Sequence, residues 1–469
     1  MSSVLVLYRL KPDVLADLAG RFRLLDSHAS PLPLDAFLPK SGDNSAAIVP
    51  GSGVVRIDAA FLDAAPSLGC IVSLNAGLNH VDIPECARSG VAIANAAGIY
   101  SADVADYVVG LLIDVLRGVS AGDRFLRRRD SDAAPEFRIT TASSASQMPS
   151  SPSVLVLYRL NPAILADLAG RFRLLDYHAS PLPLDAFLLA AAADDDPPRA
   201  AVVPGSGVVR IDAAFLDTVP SLGCIVSVSA GLNHVDLPEC ARRGVAVANA
   251  AGIYSADVAD YAVGLLIDVL RGVSAGDRFL RRRGECLLPL GGSSLGGKRV
   301  GIIGLGSIGS GIARRLEAFG CVVSYHSRRQ KHDVSYTYHP TILDLAAGSD
   351  VLVVACALTA ETRHVVDGAV LDALGSGGVV VNVARGANVD EAELVRALAE
   401  GRIAGAGLEV FEDEPNVPAQ LMGMDNVVLT HHQAAYTPEA MADLDRLVVG
   451  NLEAFFTGTP LLTPVLVFD

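Results

Sequence analysis

Short apolar runs alternate with stretches of helical spacing along most of the chain. Residues 300–303 (VGII), 321–325 (CVVSY), 350–355 (DVLVVA) and 378–383 (GVVVNV) are near-continuous apolar segments. Such runs suit strands covered on both faces by helices. Helical stretches lie between them, up to about residue 319 and over residues 366–374 and 390–400. Residues 405–410 and 427–430 read as further strands. The alternation predicts an α/β fold with a parallel, doubly wound sheet. Val258, Tyr261, Ala262, Leu265, Leu266, Val269 and Leu270 recur at helical spacing. They predict one long helix over residues 257–283, capped by Ser255 or Asp257. Residues 437–456 predict a last amphipathic helix, which needs a surface beyond that sheet.

The pattern of the first half occurs twice. VLVLYRL at residues 4–10 recurs at 154–160, and RFRLLD at 21–26 recurs at 171–176. AGLNHVD at 76–82 recurs at 230–236, and SADVADY at 101–107 recurs at 255–261. The offset is 150 at first and 154 later, and the added residues fall near 190–198, which reads as a loop. Near-identity over a domain-sized block is duplication, not a solenoid period. The first copy ends at Arg129, and residues 130–152 form a polar Ser/Thr/Ala/Pro stretch that reads as a flexible linker.

Composition narrows the function classes. The chain has 469 residues, enough for two or three domains. Hydrophobic residues make up 51% and mean hydropathy is +0.40, which excludes wholesale disorder. The net charge of 37 − 52 = −15 argues against broad nucleic-acid binding or docking on an anionic membrane. No stretch reads as a membrane span or secretory signal. Seven cysteines without a CxxC pair suggest neither a disulfide framework nor structural zinc, so no metal is expected. A reducing, cytoplasmic compartment fits this usage.

One glycine turn sits where the first run of the second half meets a helix. Gly304-Leu305-Gly306-Ser307-Ile308-Gly309 follows the run 300–303 and precedes a helical stretch and a second strand. This is the context of the dinucleotide fingerprint. Gly304 permits the tight turn, Gly306 lets the backbone approach a pyrophosphate, and Gly309 allows the helix to pack on the strand. Free N–H groups at the helix start receive the negative charge. The second strand ends His326-Ser327-Arg328-Arg329. An NAD site usually carries an acid there to hold the ribose 2′-hydroxyl. A hydroxyl and two guanidinium groups suit a 2′-phosphate, which favours NADPH over NADH while leaving NADH usable. The alternative is a solvated surface pair.

Arg385, Glu414 and His432 each follow a strand run. Open α/β sheets bind ligands beyond the C-terminal ends of their strands. The set suits a carboxylate-binding Arg with a Glu–His proton relay. Each residue by itself is also compatible with a structural ion pair or a surface position.

Five phrases carry a family resemblance. They are LGGKRVGIIGLGSIG (295–309), VACALTAETRH (354–364), NVARGANVDEAELVRAL (382–398), GLEVFEDEP (407–415) and LTHHQAAYTPE (429–439). From residue 152 onward the chain resembles the D-isomer-specific 2-hydroxyacid dehydrogenases. Within that family it is most similar to plant hydroxyphenylpyruvate and hydroxypyruvate/glyoxylate reductases. The first copy resembles the family's N-terminal part again.

The resemblance implies two lobes, a Rossmann nucleotide domain and a flavodoxin-like substrate domain, with a partial extra copy of the latter at the N-terminus. The boundaries would be 1–129 for the extra copy, 130–152 for the linker, 153–254 with 435–469 for the substrate domain, and 255–434 for the nucleotide domain. It implies NADPH-dependent reduction of a 2-oxo acid to the D-2-hydroxy acid. Arg385 would bind the substrate carboxylate and His432 would supply the proton. Glu414 would stabilise the imidazolium. Ala230 and Gly231, with Gly205, Ser206 and Gly207, would line the substrate cleft. Ala357, Thr362, Val383, Ala384 and Glu409 would join the glycine turn and Ser327, Arg328 and Arg329 around the cofactor.

Some positions depart from the family pattern. Glu409 stands where Asp is usual, Asn233 where Asp is common, and His431 where Pro is usual, a change expected to loosen the loop carrying His432. The family's Trp is replaced by Glu285-Cys286-Leu287. The alternative function is a non-catalytic nucleotide-binding regulator or scaffold of the same fold. The resemblance also implies a homodimer joined partly through the long helix. The first copy carries a near-identical helix in the same chain. It either docks where a partner subunit would or hangs as a partial domain.

Overall fold

The computed structural model describes residues 3–38, 45–50, 55–96, 101–127, 151–205, 209–283 and 292–465. The expected linker at 130–152 lies almost wholly outside the described residues, as do Ser206, Gly207 and residues 285–287. The chain divides into two units, Met1–Ala105 and Asp106–Asp469.

The first unit holds a five-stranded parallel sheet. Its strands are β1 (Ser3–Val6), β2 (Arg23–Asp26), β3 (Ala46–Val49), β4 (Cys70–Ser73) and β5 (Ala92–Asn95), in the order β2-β1-β3-β4-β5. Leu5, Ala47, Ile57 and Ile71 are buried at the centre of one face. Asp58 and Asp82 cap two short helices by accepting the N–H groups of Phe61 and Glu85.

The second unit contains two more parallel sheets. One is built from β6 (Ser153–Val156), β7 (Arg173–Asp176), β8 (Ala200–Val203), β9 (Cys224–Ser227) and β10 (Ala246–Ala248). Its order, β10-β9-β8-β6-β7, is that of the first sheet read from the other edge. Asp212 and Asp236 repeat the two caps. The repeated CIVS strand differs in burial. Val72 of β4 is exposed, whereas Val226 of β9 is buried in a cluster that includes Val448 and Leu452.

The other sheet has seven strands. They are β11 (Arg299–Ile303), β12 (Val322–His326), β13 (Thr337–Tyr338), β14 (Val351–Val354), β15 (Val379–Asn382), β16 (Gly405–Leu408) and β17 (Val427–Leu429). All pair in parallel, in the order β13-β12-β11-β14-β15-β16-β17. β14, β15 and β16 are buried along their whole length, as the continuous apolar runs imply.

Six helices position the rest. They are α1 (Ser101–Arg117), α2 (Val119–Arg127), α3 (Ser255–Arg271), α4 (Val273–Arg283), α5 (Ser307–Ala318) and α6 (Pro438–Thr457). The single long helix expected over residues 257–283 is two helices. Gly272 takes φ +64° between them. The Asp268 carboxylate accepts the Ser274 N–H at 2.8 Å and caps the start of α4. Apolar periodicity cannot register such a break, because Leu270 and Val273 keep the buried stripe going. The expected caps are also corrected: Tyr254 is the N-cap residue of α3, with no side-chain cap bond. The loop expected at residues 190–198 starts inside a helix, Leu184–Ala192, which its alanines favour.

α6 crosses to the sheet of β6–β10. Leu444, Val448 and Leu452 bury there, and Asn161 donates to Asp445 at 2.7 Å. Among the described residues no helix is long and apolar enough to cross a membrane.

Candidate active site

The glycine turn lies where the seven-stranded sheet changes direction, between β11 and β14. Gly304 has φ +97°, and a Cβ on it would come within 2.7 Å of the Cys356 backbone. A Cβ on Gly309 would overlap the Gly304 carbonyl oxygen, so α5 can lie close to β11 only as glycine. Gly306, at the start of α5, has open space in front of it. Leu305 is buried and anchors the turn, while Ser307 and Ile308 open the helix. This cradle fits a dinucleotide pyrophosphate.

Beyond β12, the Ser327 hydroxyl donates to the Arg329 carbonyl at 2.7 Å, and both arginines are exposed. Sequence reading found no acid near this strand end. Glu361, from the loop after β14, stands within electrostatic reach of Arg328. Hydrogen bonding to Thr359, with the Arg328 charge as a lesser cause, holds its carboxyl below the usual range. In the same loop the Thr362 hydroxyl donates to the Ala357 carbonyl at 2.7 Å. Asn233 donates its amide to the Leu358 carbonyl at 2.6 Å, a bond an ionised Asp could not make.

A cleft of about 320 Å³ opens between this sheet and the sheet of β6–β10. Arg385, Glu414, His432, Ala230 and Gly205 line it, together with Val383 and Glu409. Arg385 follows β15, and its Nη1 donates to the Ala384 carbonyl at 2.6 Å. Its other Nη rests where a Cβ on Gly231 would be. Burial pulls the guanidinium pKa down and the neighbouring Glu414 charge opposes it. Gly205 is packed so closely on Ser229 that no side chain fits there.

Glu414 accepts the Phe411 N–H on Oε1 at 3.1 Å and meets Nδ1 of His432 through Oε2 at 2.8 Å. Burial raises the Glu414 carboxyl, but the His432 hydrogen bond and charge, with Arg385 and the Phe411 amide, outweigh it. The carboxyl therefore sits below its ordinary range. His432 has φ +56°, a conformation a non-glycine residue rarely holds without support. Its backbone N–H donates to the Glu409 carbonyl at 2.9 Å.

Glu409, expected beside the cofactor, is almost fully buried. Its carboxylate accepts from the Thr430 hydroxyl and the Ala434 N–H, on either side of His432. Burial pushes it up to about 7 against those two hydrogen bonds. His431 was expected to loosen this loop, yet its ring stands 5.0 Å from the Phe125 ring. Sequence reading missed Tyr158, Tyr254 and Tyr436, which also line the cleft. The Tyr254 hydroxyl donates to the Val228 carbonyl at 2.7 Å, and nothing in its helical spacing marks it as a cleft residue. Among the described residues no cluster of His, Cys, Asp and Glu is arranged to hold a metal.

Comparison with known proteins places the chain in a family. The model of the D-isomer-specific 2-hydroxyacid dehydrogenase NAD-binding domain matches residues 263–434, and that of the family's catalytic domain matches residues 28–151. A glyoxylate/hydroxypyruvate reductase of Arabidopsis thaliana is 50% identical over 272 residues, 57% of this chain and 83% of the relative. A hydroxyphenylpyruvate reductase of Plectranthus scutellarioides is 45% identical over 316 residues, 66% of this chain and 98% of the relative. A crystal structure of an NADPH-dependent glyoxylate/hydroxypyruvate reductase from Sinorhizobium meliloti, in complex with NADP and malonate, aligns with a TM-score of 0.61. It is 39% identical and covers 67% of this chain and 97% of its own. The chain belongs to the D-isomer-specific 2-hydroxyacid dehydrogenase family. It is an NAD(P)-dependent oxidoreductase with 2-oxo-acid reductase chemistry.

Proposed function

We propose that the protein reduces hydroxypyruvate, glyoxylate or 4-hydroxyphenylpyruvate to the D-2-hydroxy acid with NADPH. The observation that carries this reading is the 2.8 Å contact between Glu414 and Nδ1 of His432, in one cleft with Arg385. Glu414 occupies Nδ1 and leaves Nε2 to give a proton to the ketone oxygen. Arg385, held against Gly231, binds the substrate carboxylate and polarises the adjacent carbonyl, with the Ala230–Gly231 amides. When bound, the dihydronicotinamide supplies the hydride to C2.

NADPH is favoured by Ser327 and the two exposed arginines beyond β12. The NADP-bound relative supports the same preference. On this reading residues 153–254 and 435–469 form the substrate domain and 255–434 the nucleotide domain. Residues 1–129 are a partial second copy of the substrate domain, and residues 130–152 join the two.

Steady-state oxidation of NADPH with each 2-oxo acid tests the proposal. The parent protein should show the higher kcat/KM with NADPH than with NADH. His432→Ala should lower kcat by roughly 10²–10⁴, and His431→Ala far less. A protein that oxidises neither cofactor with any of the three acids would overturn the reading.

A further inference from the structure

Two segments of near-identical sequence face each other inside the second unit. Residues 106–127 of α1 and α2 pack against α3 and α4, and the contacts come in reciprocal pairs 154 residues apart. A Cβ on Gly110 would meet Ile267, and a Cβ on Gly264 would meet Ile113. The Arg117 guanidinium lies 5.5 Å from the Tyr261 ring centre, and Arg271 lies 5.4 Å from that of Tyr107. Arg124 pairs with Asp277, and Arg278 pairs with Asp123. Residue i on one segment touches j on the other, and j touches i. That reciprocity defines an isologous, two-fold interface, ordinarily made by two identical subunits. Here both halves belong to one chain.

The pairing is lopsided beyond its centre. Leu126 of α2 is 3% exposed and joins a cluster with Leu421, Val427 and Leu429, whereas its counterpart Leu280 on α4 is 52% exposed. Arg127 donates to the Met424 carbonyl at 3.0 Å and also to the carbonyls of Met422 and Val427. Its counterpart Arg281 bonds only Asp277 on its own helix among the contacts described. α2 rests on the seven-stranded sheet, and among the described residues α4 has no second such sheet.

What α2 rests on is the segment that carries His432. The buried Asp123 accepts the Leu429 N–H at 3.1 Å. Phe125 packs on His431, and Arg117 donates to the Ala434 carbonyl at 2.6 Å; the Gln433 amide, which donates to the Tyr261 hydroxyl of α3 at 2.6 Å, also reaches the Gly118 carbonyl at 3.4 Å. These contacts bracket His432 and its left-handed backbone on both sides. A strained residue persists where its surroundings over-determine it.

We propose that α1 and α2 are an in-chain stand-in for a second copy of this protein. They fill the face that α3 and α4 would offer to another chain, and they position the 429–434 loop for the reaction. The second half of the proposal rests on the function proposed above; the first does not.

The full chain carrying Gly110→Cys with Ile267→Cys tests the first half. The built Cβ of residue 110 lies 3.3 Å from that of Ile267, close to the spacing a disulfide bridges. Gly264→Cys with Ile113→Cys, at 3.4 Å, is a second and independent pair. Mild oxidation should give a disulfide that leaves each protein at the mass of one chain on a non-reducing gel. Each single-cysteine variant should give none. A linked species of twice that mass, or no disulfide in either pair, overturns the stand-in.

Arg117→Ala and Arg117→Lys test the second half. Arg117→Ala should lower kcat roughly tenfold, as a displaced acid would. NADPH affinity, read by fluorescence, should stay unchanged, and Arg117→Lys should restore part of the rate. Loss of NADPH affinity in parallel with kcat, or an unchanged kcat, overturns positioning. If the parent itself fails to oxidise NADPH, the proposed function falls and the disulfide result still decides the interface.

Discussion

The three proposed reacting groups were legible because each follows a strand run and stands within a distinctive phrase. Arg385, Glu414 and His432 share one cleft in the structure. Glu409 was less legible. The family resemblance placed it beside the cofactor, and what the resemblance did not show is that its carboxylate holds the loop around His432 through Thr430 and Ala434. A sequence shows which acid follows a strand; it does not show which donors fold back to meet it. Its burial has a consequence for stability. The carboxyl is pushed up to about 7 in the folded protein, above its unfolded value. Between the ordinary glutamate range and about pH 7 the folded state therefore holds more protons than the unfolded one. Stability from this group is complete below that window and is lost as pH rises through about 7. Glu409→Gln removes the dependence. Thermal melts should show the variant gaining relative to the parent between pH 5.5 and 8.5, by about 2 kcal/mol at most. An equal difference at both pH values would show that the buried carboxyl does not titrate there.

Elements were predicted well where a continuous apolar run met a glycine turn, as at Gly304. They were predicted poorly where a break leaves the apolar stripe intact, as at Gly272. The turn from β11 to α5 shows how tightly one element constrains the next. Gly309 has no room for a methyl group, because the Gly304 carbonyl oxygen occupies it. Gly306 has room, and the free space there faces the helix N-terminus. The two glycines should therefore respond differently to the same change. Gly309→Ala must push α5 off β11, an overpacking that costs about 1–3 kcal/mol. It should lower Tm and weaken NADPH binding together. Gly306→Ala should leave Tm nearly unchanged and weaken NADPH binding alone, since its methyl would enter the space a pyrophosphate needs. Equal melting temperatures for the two variants would contradict this account of the turn.

At the scale of the molecule, the duplication was the plainest feature of the sequence, and its structural outcome was the least legible. Identical local sequence gives the same strands, caps and helix breaks in both copies, because those depend on neighbours a few residues away. Burial depends on what the rest of the chain brings. Leu266 on α3 is 1% exposed, in the core shared with the seven-stranded sheet, while its counterpart Leu112 on α1 is 55% exposed. Both sit in the same GLLID phrase. Leu266→Lys places an ammonium group in an apolar core, and should cost more than about 3 kcal/mol or prevent folding. Leu112→Lys changes an exposed position, and should stay within about 0.5 kcal/mol of the parent. Urea unfolding of the two full-length variants measures the contrast. A large loss from Leu112→Lys would mean that this face of α1 is covered in solution by a further surface of the same or another chain.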